Sequence, residues 1–200
     1  METTYIEIDS PDKHLSDVLE EIPSNVILYK TLTGIGATYS EIKAQRHSII
    51  IEPNVPVIIG KCNSDKHKND NLLGVYEGVT TDRIIKYLGA SRGKYYKILT
   101  TPESFTKVED AFLIFNGKIY NTCFLLIDEA HKTIKDVDYR SDIVLPMNDF
   151  FKFKGKALVS ATPLKFSDPR FEENGFSIIK IEPTYDYAKE IDIKPSTNIL

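Results

Sequence analysis

Two short stretches carry residue types that could do phosphate chemistry. In "LLIDEAH" (125–131) the carboxylates of Asp128 and Glu129 directly follow an apolar run. A carboxylate at the end of a buried strand can hold Mg²⁺, directly or through water, and Mg²⁺ bridges nucleotide phosphates. A second carboxylate one residue later can orient and deprotonate an attacking water. On this reading Asp128 takes the metal and Glu129 the water. A bare Asp-Glu pair is more often a solvated strand end that caps the next helix. The apolar run before it and the full Asp-Glu-Ala-His favour the chemical reading.

The second stretch is "ILYKTLTGIGATYSEI", Ile27 to Ile42. It has the layout of a strand, a glycine-bearing turn and the start of a helix. Such a loop binds phosphate through backbone N–H groups and the helix N-terminus. The expected binding residues are Thr33, Gly34, Ile35, Gly36, Ala37 and Thr38. One residue breaks the pattern. Where a phosphate loop has Gly-Lys-Thr, this chain has Gly36-Ala37-Thr38. The missing ammonium normally sits between the β- and γ-phosphates. Lys30 ends the strand that feeds the loop, and a lysine side chain reaches about 6 Å. It is therefore the substitute cation, unless the strand points it outward as a solvated or ion-paired lysine.

These residues need a scaffold that brings distant strand ends together. Seven β-rich apolar runs recur, at 25–30, 47–53, 72–78, 95–101, 122–129, 156–162 and 176–183. Most are continuous rather than alternating, as in strands buried on both faces of a parallel sheet. Helix-like stretches lie between them at 38–46, 54–62, 80–89, 102–112 and 141–151. In the last, Ser141 is the expected N-cap and Asp142 faces the positive end of the dipole. Strand–helix alternation predicts a doubly wound α/β domain. In such sheets ligands sit beyond the carboxyl ends of the strands. Polar residues do collect there: after Gly34–Thr38 come Glu52-Pro53-Asn54, Thr100–Ser104, Asp128–His131 and Ser160–Pro163. The polar segment 62–71, "CNSDKHKNDN", reads as an exposed loop.

Composition narrows the classes. The 200 residues suit one α/β domain with short extensions, and 42% hydrophobic with 27% charged residues is ordinary for a soluble globular protein. The net charge of −4 gives no global field towards nucleic acid, so any such binding needs a local patch. Cys62 and Cys123 match no metal-ligand spacing, and the four histidines are scattered. The polar, acidic N-terminus is no signal peptide, and no apolar run approaches a membrane span. The expectation is a cytoplasmic, reduced chain with no membrane association.

The motifs carry a family resemblance. "LLIDEAH" resembles motif II, the Walker B element, of superfamily 2 helicases and translocases of the DEAD/DEAH-box or DExH type. "VSATP" (159–163) resembles their motif III and "LTGIGAT" (32–38) their motif I, the Walker A loop, in degenerate form. "IIIEPNVPVI" (49–58) and "ILTTPES" (98–104) resemble motifs Ia and Ib. Order and spacing are those of the family's first RecA-like domain.

The resemblance implies a P-loop NTPase-like, three-layer α/β domain with a mainly parallel sheet over residues 24–183. Residues 1–23 would be an N-terminal extension, and 184–200 a tail or linker towards a second domain. It implies ATP and Mg²⁺ as cofactors, with Asp128 and the Thr38 hydroxyl holding the metal, and a DNA or RNA strand as partner. His131 would contact Ser160 or Thr162 and link nucleotide state to the strand. Pro53, Asn54, Thr101, Pro102 and Glu103 would lie along the sugar-phosphate backbone, unless they only cap their helices. Two departures stand out: Ala37, and the absence of a second set of strands with an arginine-rich motif VI. A second RecA-like domain would then come from a longer chain or a partner protein. The competing reading is a degenerate domain that binds nucleotide weakly or not at all and serves as an interaction module. A P-loop kinase or GTPase fits less well, since the chain has no guanine-reading Asn-Lys-x-Asp.

Overall fold

The continuous apolar runs form the strands of one sheet, and the reason is visible in which way alternate residues face. In the computed structural model, which describes residues 1–32, 34–135, 145–163 and 168–186, the elements follow in chain order. They are β1 (Thr3–Ile8), α1 (Leu15–Val18), β2 (Val26–Lys30), α2 (Ala37–Lys43), β3 (His47–Ile51) and α3 (Val55–Cys62). Next come β4 (Leu72–Val75), α4 (Thr81–Ala90), β5 (Lys97–Thr100), α5 (Phe105–Phe115), α6 (Ile119–Thr122) and β6 (Cys123–Ile127). Last come α7 (Ala130–Lys135), α8 (Leu145–Phe150), β7 (Gly155–Ser160), α9 (Arg170–Glu173) and β8 (Ser177–Pro183). The strands form one sheet of order β1-β8-β2-β7-β6-β3-β5-β4. Every pairing is parallel.

Side chains alternate across a strand, so each run feeds two cores. Ile27, Ile49, Ile51, Leu125, Ile127 and Leu158 pack on one face with residues of α4 to α9, among them Phe105, Phe112 and Phe150. Val26, Leu28, Ile50, Leu126, Ala157 and Val159 pack on the other with Leu15, Ile42 and Ile58 of α1 to α3. Both faces exclude water, which is why the runs do not alternate in polarity. The result is a three-layer α/β sandwich, as the sequence reading expected.

All seven expected strand runs appear, most of them shorter by a residue or two at one or both ends. β1 was not among them. "TTYIEI" alternates as an edge strand does, with Tyr5 largely exposed, and pairs with β8 in register from Thr3–Ile178 to Ile8–Pro183. The expected helix at 102–112 begins as a 3₁₀ turn, Pro102–Ser104, and then continues as α5. Ser141 and Asp142 lie outside the described residues.

The segment 62–71 is less exposed than its composition suggested. It contains a 3₁₀ turn at Asp65–His67, started by Ser64, which accepts the Lys66 N–H. His67 is buried and pairs with Asp70 at 2.8 Å, and Asp70 also takes Lys43 of α2 at 2.7 Å. Lys43 of α2, through Asp70 and the Lys66 carbonyl, ties the segment to the domain.

A second polar cluster ties α2 to the sheet. The buried Lys97 ammonium donates to the Glu41 and Ala44 carbonyls, both at 2.8 Å, and to Ser48 Oγ at 3.0 Å. The fully buried Glu41 carboxylate takes Arg46 at 2.5 Å and the Ser48 hydroxyl at 2.6 Å. Burial pushes the Lys97 ammonium down to about 8, against a partly opposing pull from Glu41.

Candidate functional site

The sheet order sets the site. β7 and β6 lie between β2 and β3, so the chain leaving β2 must cross their carboxyl ends to reach β3. That crossing is the loop 31–36 followed by α2. Gly34 and Gly36 have φ of 83° and 89°, the left-handed region that glycine adopts without steric cost. A Cβ at Gly34 would meet nothing within 4 Å. Backbone conformation, not crowding, therefore calls for glycine there. Ile35 is buried under the loop, and its carbonyl accepts the Leu15 N–H at 2.8 Å. Ala37 is also buried. Thr33 lies outside the described residues.

The crossing brings Thr38 to the end of β6. Its hydroxyl donates to Asp128 Oδ2 and stands 3.2 Å from Glu52 Oε1. Asp128 Oδ1 accepts the Lys30 ammonium at 2.8 Å and the Glu129 N–H at 2.8 Å. Lys30 also reaches Glu129 Oε1 at 2.7 Å. Lys30 thus points inward, with its side chain 7% exposed. Burial works against its charge, but Asp128 and Glu129 more than offset this and hold the ammonium above the ordinary lysine value. Burial likewise opposes the Asp128 charge, and Lys30 with the Thr38 hydroxyl overcomes it, so this carboxyl lies below its usual range.

Glu129 has φ 50°, a conformation that costs a non-glycine residue of order 1 kcal/mol. Its N–H bond to Asp128 and its ion pair with Lys30 hold it there. The same geometry leaves Glu129 Oε2 3.5 Å from His131 Nε2. His131 Nδ1 is hydrogen-bonded to Ser160 Oγ at 3.1 Å. Ser160 in turn donates to the Thr162 carbonyl at 2.7 Å and accepts the Thr162 N–H at 3.1 Å. The three residues expected to communicate, His131, Ser160 and Thr162, therefore form one connected chain that begins at Glu129.

A cavity of about 420 Å³ opens over these groups. Lys30, Gly34, Gly36, Ala37, Thr38, Asp128 and Glu129 line it. Pro53 and Asn54 are on its wall as well. Thr101, Pro102 and Glu103 are not; they sit beyond β5, with Thr101 and Pro102 buried and Glu103 exposed. Five wall residues were missed from sequence: Tyr39, Glu52, Val57, Lys61 and Lys132. Asn54, Val57 and Lys61 follow an i, i+3, i+7 spacing, which is one face of a helix. That spacing was the available signal for Lys61. Glu52 was seen at a strand end but given no role. Burial, and then the Asp128 charge, push its carboxyl up, while Lys61 and Thr38 oppose the shift.

No protein-family model and no curated protein matches the chain. Solved structures do. One is a hypothetical ATP-dependent RNA helicase from Sulfolobus tokodaii, with TM-score 0.53 and 16% identity over 78% of this chain and 48% of that one. Another is the Pyrococcus furiosus Hef helicase domain, with TM-score 0.51 and 14% identity over 86% of this chain and 38% of that one. The fold is RecA-like. The chain spans about half or less of the length of these structures. Among the described residues, no helix is long and apolar enough to cross a membrane.

Proposed function

We propose that this chain is a nucleotide-binding domain of the superfamily 2, DEAD/DEAH-box type, in which the Walker A lysine has moved from position 37 to Lys30. The observation that carries the proposal is the Lys30 ammonium, seated at the cavity floor between Asp128 and Glu129 and beside Thr38. A buried lysine ending on two carboxylates at a phosphate-type loop restores the charge that Ala37 removed. The phosphates of ATP would lie against the backbone of Gly34 to Thr38, with Lys30 turning its ammonium towards them.

Thr38 and Asp128 suit Mg²⁺ by donor type. Both offer hard oxygens, and their side chains are already hydrogen-bonded to each other. When bound, Mg²⁺ would neutralise phosphate charge. With the Lys30 ammonium turned towards the phosphates, Glu129 would be free to accept a proton from an attacking water. His131, Ser160 and Thr162 would carry the state of Glu129 towards a nucleic-acid strand along Pro53, Asn54 and Thr101 to Glu103. Such contacts position the strand without reading its sequence. A second RecA-like domain, in a longer chain or a partner, would complete a motor.

Titration with a fluorescent ATP analogue, with and without Mg²⁺, tests the proposal. Saturable signal displaced by unlabelled ATP is the expected result. No saturable signal at millimolar nucleotide would end the nucleotide reading.

A further inference from the structure

We infer that Lys61, anchored by the buried carboxylate of Glu52, is a second phosphate-binding cation of the cavity. This rests on the nucleotide reading above and adds to it a residue from α3, outside the phosphate loop.

An ordinary Lys–Glu pair on a helix surface has both partners in water and contributes little. This pair differs. The Glu52 side chain is 3% exposed and the Lys61 side chain 25%. The carboxylate is thus enclosed and the ammonium is open to the cavity. An enclosed carboxylate is costly without a partner, and Glu52 stands next to another, with Thr38 hydrogen-bonding Asp128 and lying 3.2 Å from Glu52. The Thr38 hydroxyl carries one proton, which Asp128 and Glu52 share. Among the described contacts Lys61 is the cation paired with Glu52.

An ammonium has three donors. Lys30 spends two of them on Asp128 and Glu129. Lys61 spends one, on Glu52 Oε1, among the described contacts. The other two remain for a ligand. Lys61 lies on the face of α3 that Val57 also presents to the cavity, below Asn54 at the helix's N-cap. It can bind an oxyanion while still held by Glu52, so no ion pair need break. Lys30 must give up a carboxylate to do the same. The two lysines therefore divide the work of one: Lys30 acts from the floor and Lys61 from the wall.

The test is calorimetry with Mg-ATP and, separately, with inorganic pyrophosphate. Three forms of the full chain are compared: wild type, Lys61→Gln, and the Lys61→Gln/Glu52→Gln double variant. Lys61→Gln is expected to weaken both ligands about tenfold, the size of a lost charge-assisted contact. It should also lower the melting temperature of the ligand-free protein, because Glu52 loses its partner. The double variant removes both charges. Its melting temperature should recover while its affinity stays low. A double variant that binds both ligands as tightly as wild type would show that Lys61 only neutralises Glu52, and would overturn the inference alone. Wild type that binds neither ligand would remove the nucleotide reading, and this inference with it.

Discussion

The Lys30 ammonium lies 2.8 Å from Oδ1 of Asp128, joining the last residue of β2 to the first residue after β6 across the intervening β7. One side chain thus spans the gap between the strand that feeds the loop and the strand that supplies the carboxylates. Lys30 reaches them from within the sheet edge and is enclosed there. Asp128 and Glu129 fix its charge in the site, and under the proposed nucleotide binding these partners would be exchanged for phosphate.

That exchange sets a first expectation. A lysine placed back in the loop by Ala37→Lys should tighten Mg-ATP binding, because it supplies charge without breaking the Lys30 pairs. Ala37 is buried, so the longer stem must leave through the cavity and should cost about 1–3 kcal/mol of stability. Calorimetry and urea unfolding read the two effects separately. Unchanged or weaker affinity in a folded variant would mean that charge at this loop position no longer matters.

The two carboxylates should fail differently. Asp128 is the shared acceptor of Lys30, Thr38 and the Glu129 N–H, so Asp128→Ala should destabilise the fold by about 3 kcal/mol. It should also remove the Mg²⁺-dependent part of nucleotide binding. Glu129→Gln keeps the fold and the binding but should abolish whatever hydrolysis the domain supports. Binding with and without EDTA, together with phosphate release, checks both. Equal loss of binding in the two variants would make the pair purely structural.

Much of this was legible in sequence, because the chemistry sits at strand ends and strand ends are marked by apolar runs. Asp128, Glu129 and Thr38 could be placed together once the runs were read as a parallel sheet. The inward turn of Lys30 could not be read, since a strand residue faces either side and only the pairing register decides. β1 was missed because an edge strand with one solvated face lacks the continuous apolar signature. Glu52 and Lys61 were missed for another reason. A buried carboxylate and a helical lysine each look ordinary alone, and their meaning comes from the cavity that they share. Thr101 to Glu103 read as strand-end residues like Pro53 and Asn54. β5 stands one strand further out than β3, which leaves them outside the cavity.

The Lys97 cluster gives a pH expectation away from the site. Its ammonium is depressed from 10.5 to about 8, mainly by burial, so the unfolded chain holds this proton more strongly than the fold. Below about pH 8 both states are protonated and the penalty is constant. Between about 8 and 10.5 the folded lysine is neutral while the unfolded one is not, so this group raises stability as pH rises. At about 1.4 kcal/mol per unit, the shift from 10.5 to about 8 amounts to about 3 kcal/mol. Buried Cys123, pushed up to about 12, acts in the opposite sense above pH 9. Subtracting the urea unfolding free energy of Lys97→Met from that of wild type, at pH 7.5 and at pH 10, isolates the lysine. The difference should move in favour of wild type at the higher pH. A difference that does not change with pH would contradict the buried-ammonium assignment.

Nucleic-acid binding by this chain alone should be weak, salt-sensitive and indifferent to sequence. The net charge is −4, and the expected contacts are to backbone phosphate, whose contribution falls as salt rises. Fluorescence anisotropy with single-stranded oligonucleotides of several sequences at low and moderate salt measures this. Tight, sequence-selective binding at moderate salt would contradict it.

Calorimetric titration of Mg-ATP into wild type and Lys30→Met decides whether Lys30 acts in place of a loop lysine. Methionine keeps the unbranched stem and removes only the charge. Wild type should bind measurably and the variant at least about tenfold more weakly, as for a lost charge-assisted contact. Equal affinity in the two proteins would contradict that role.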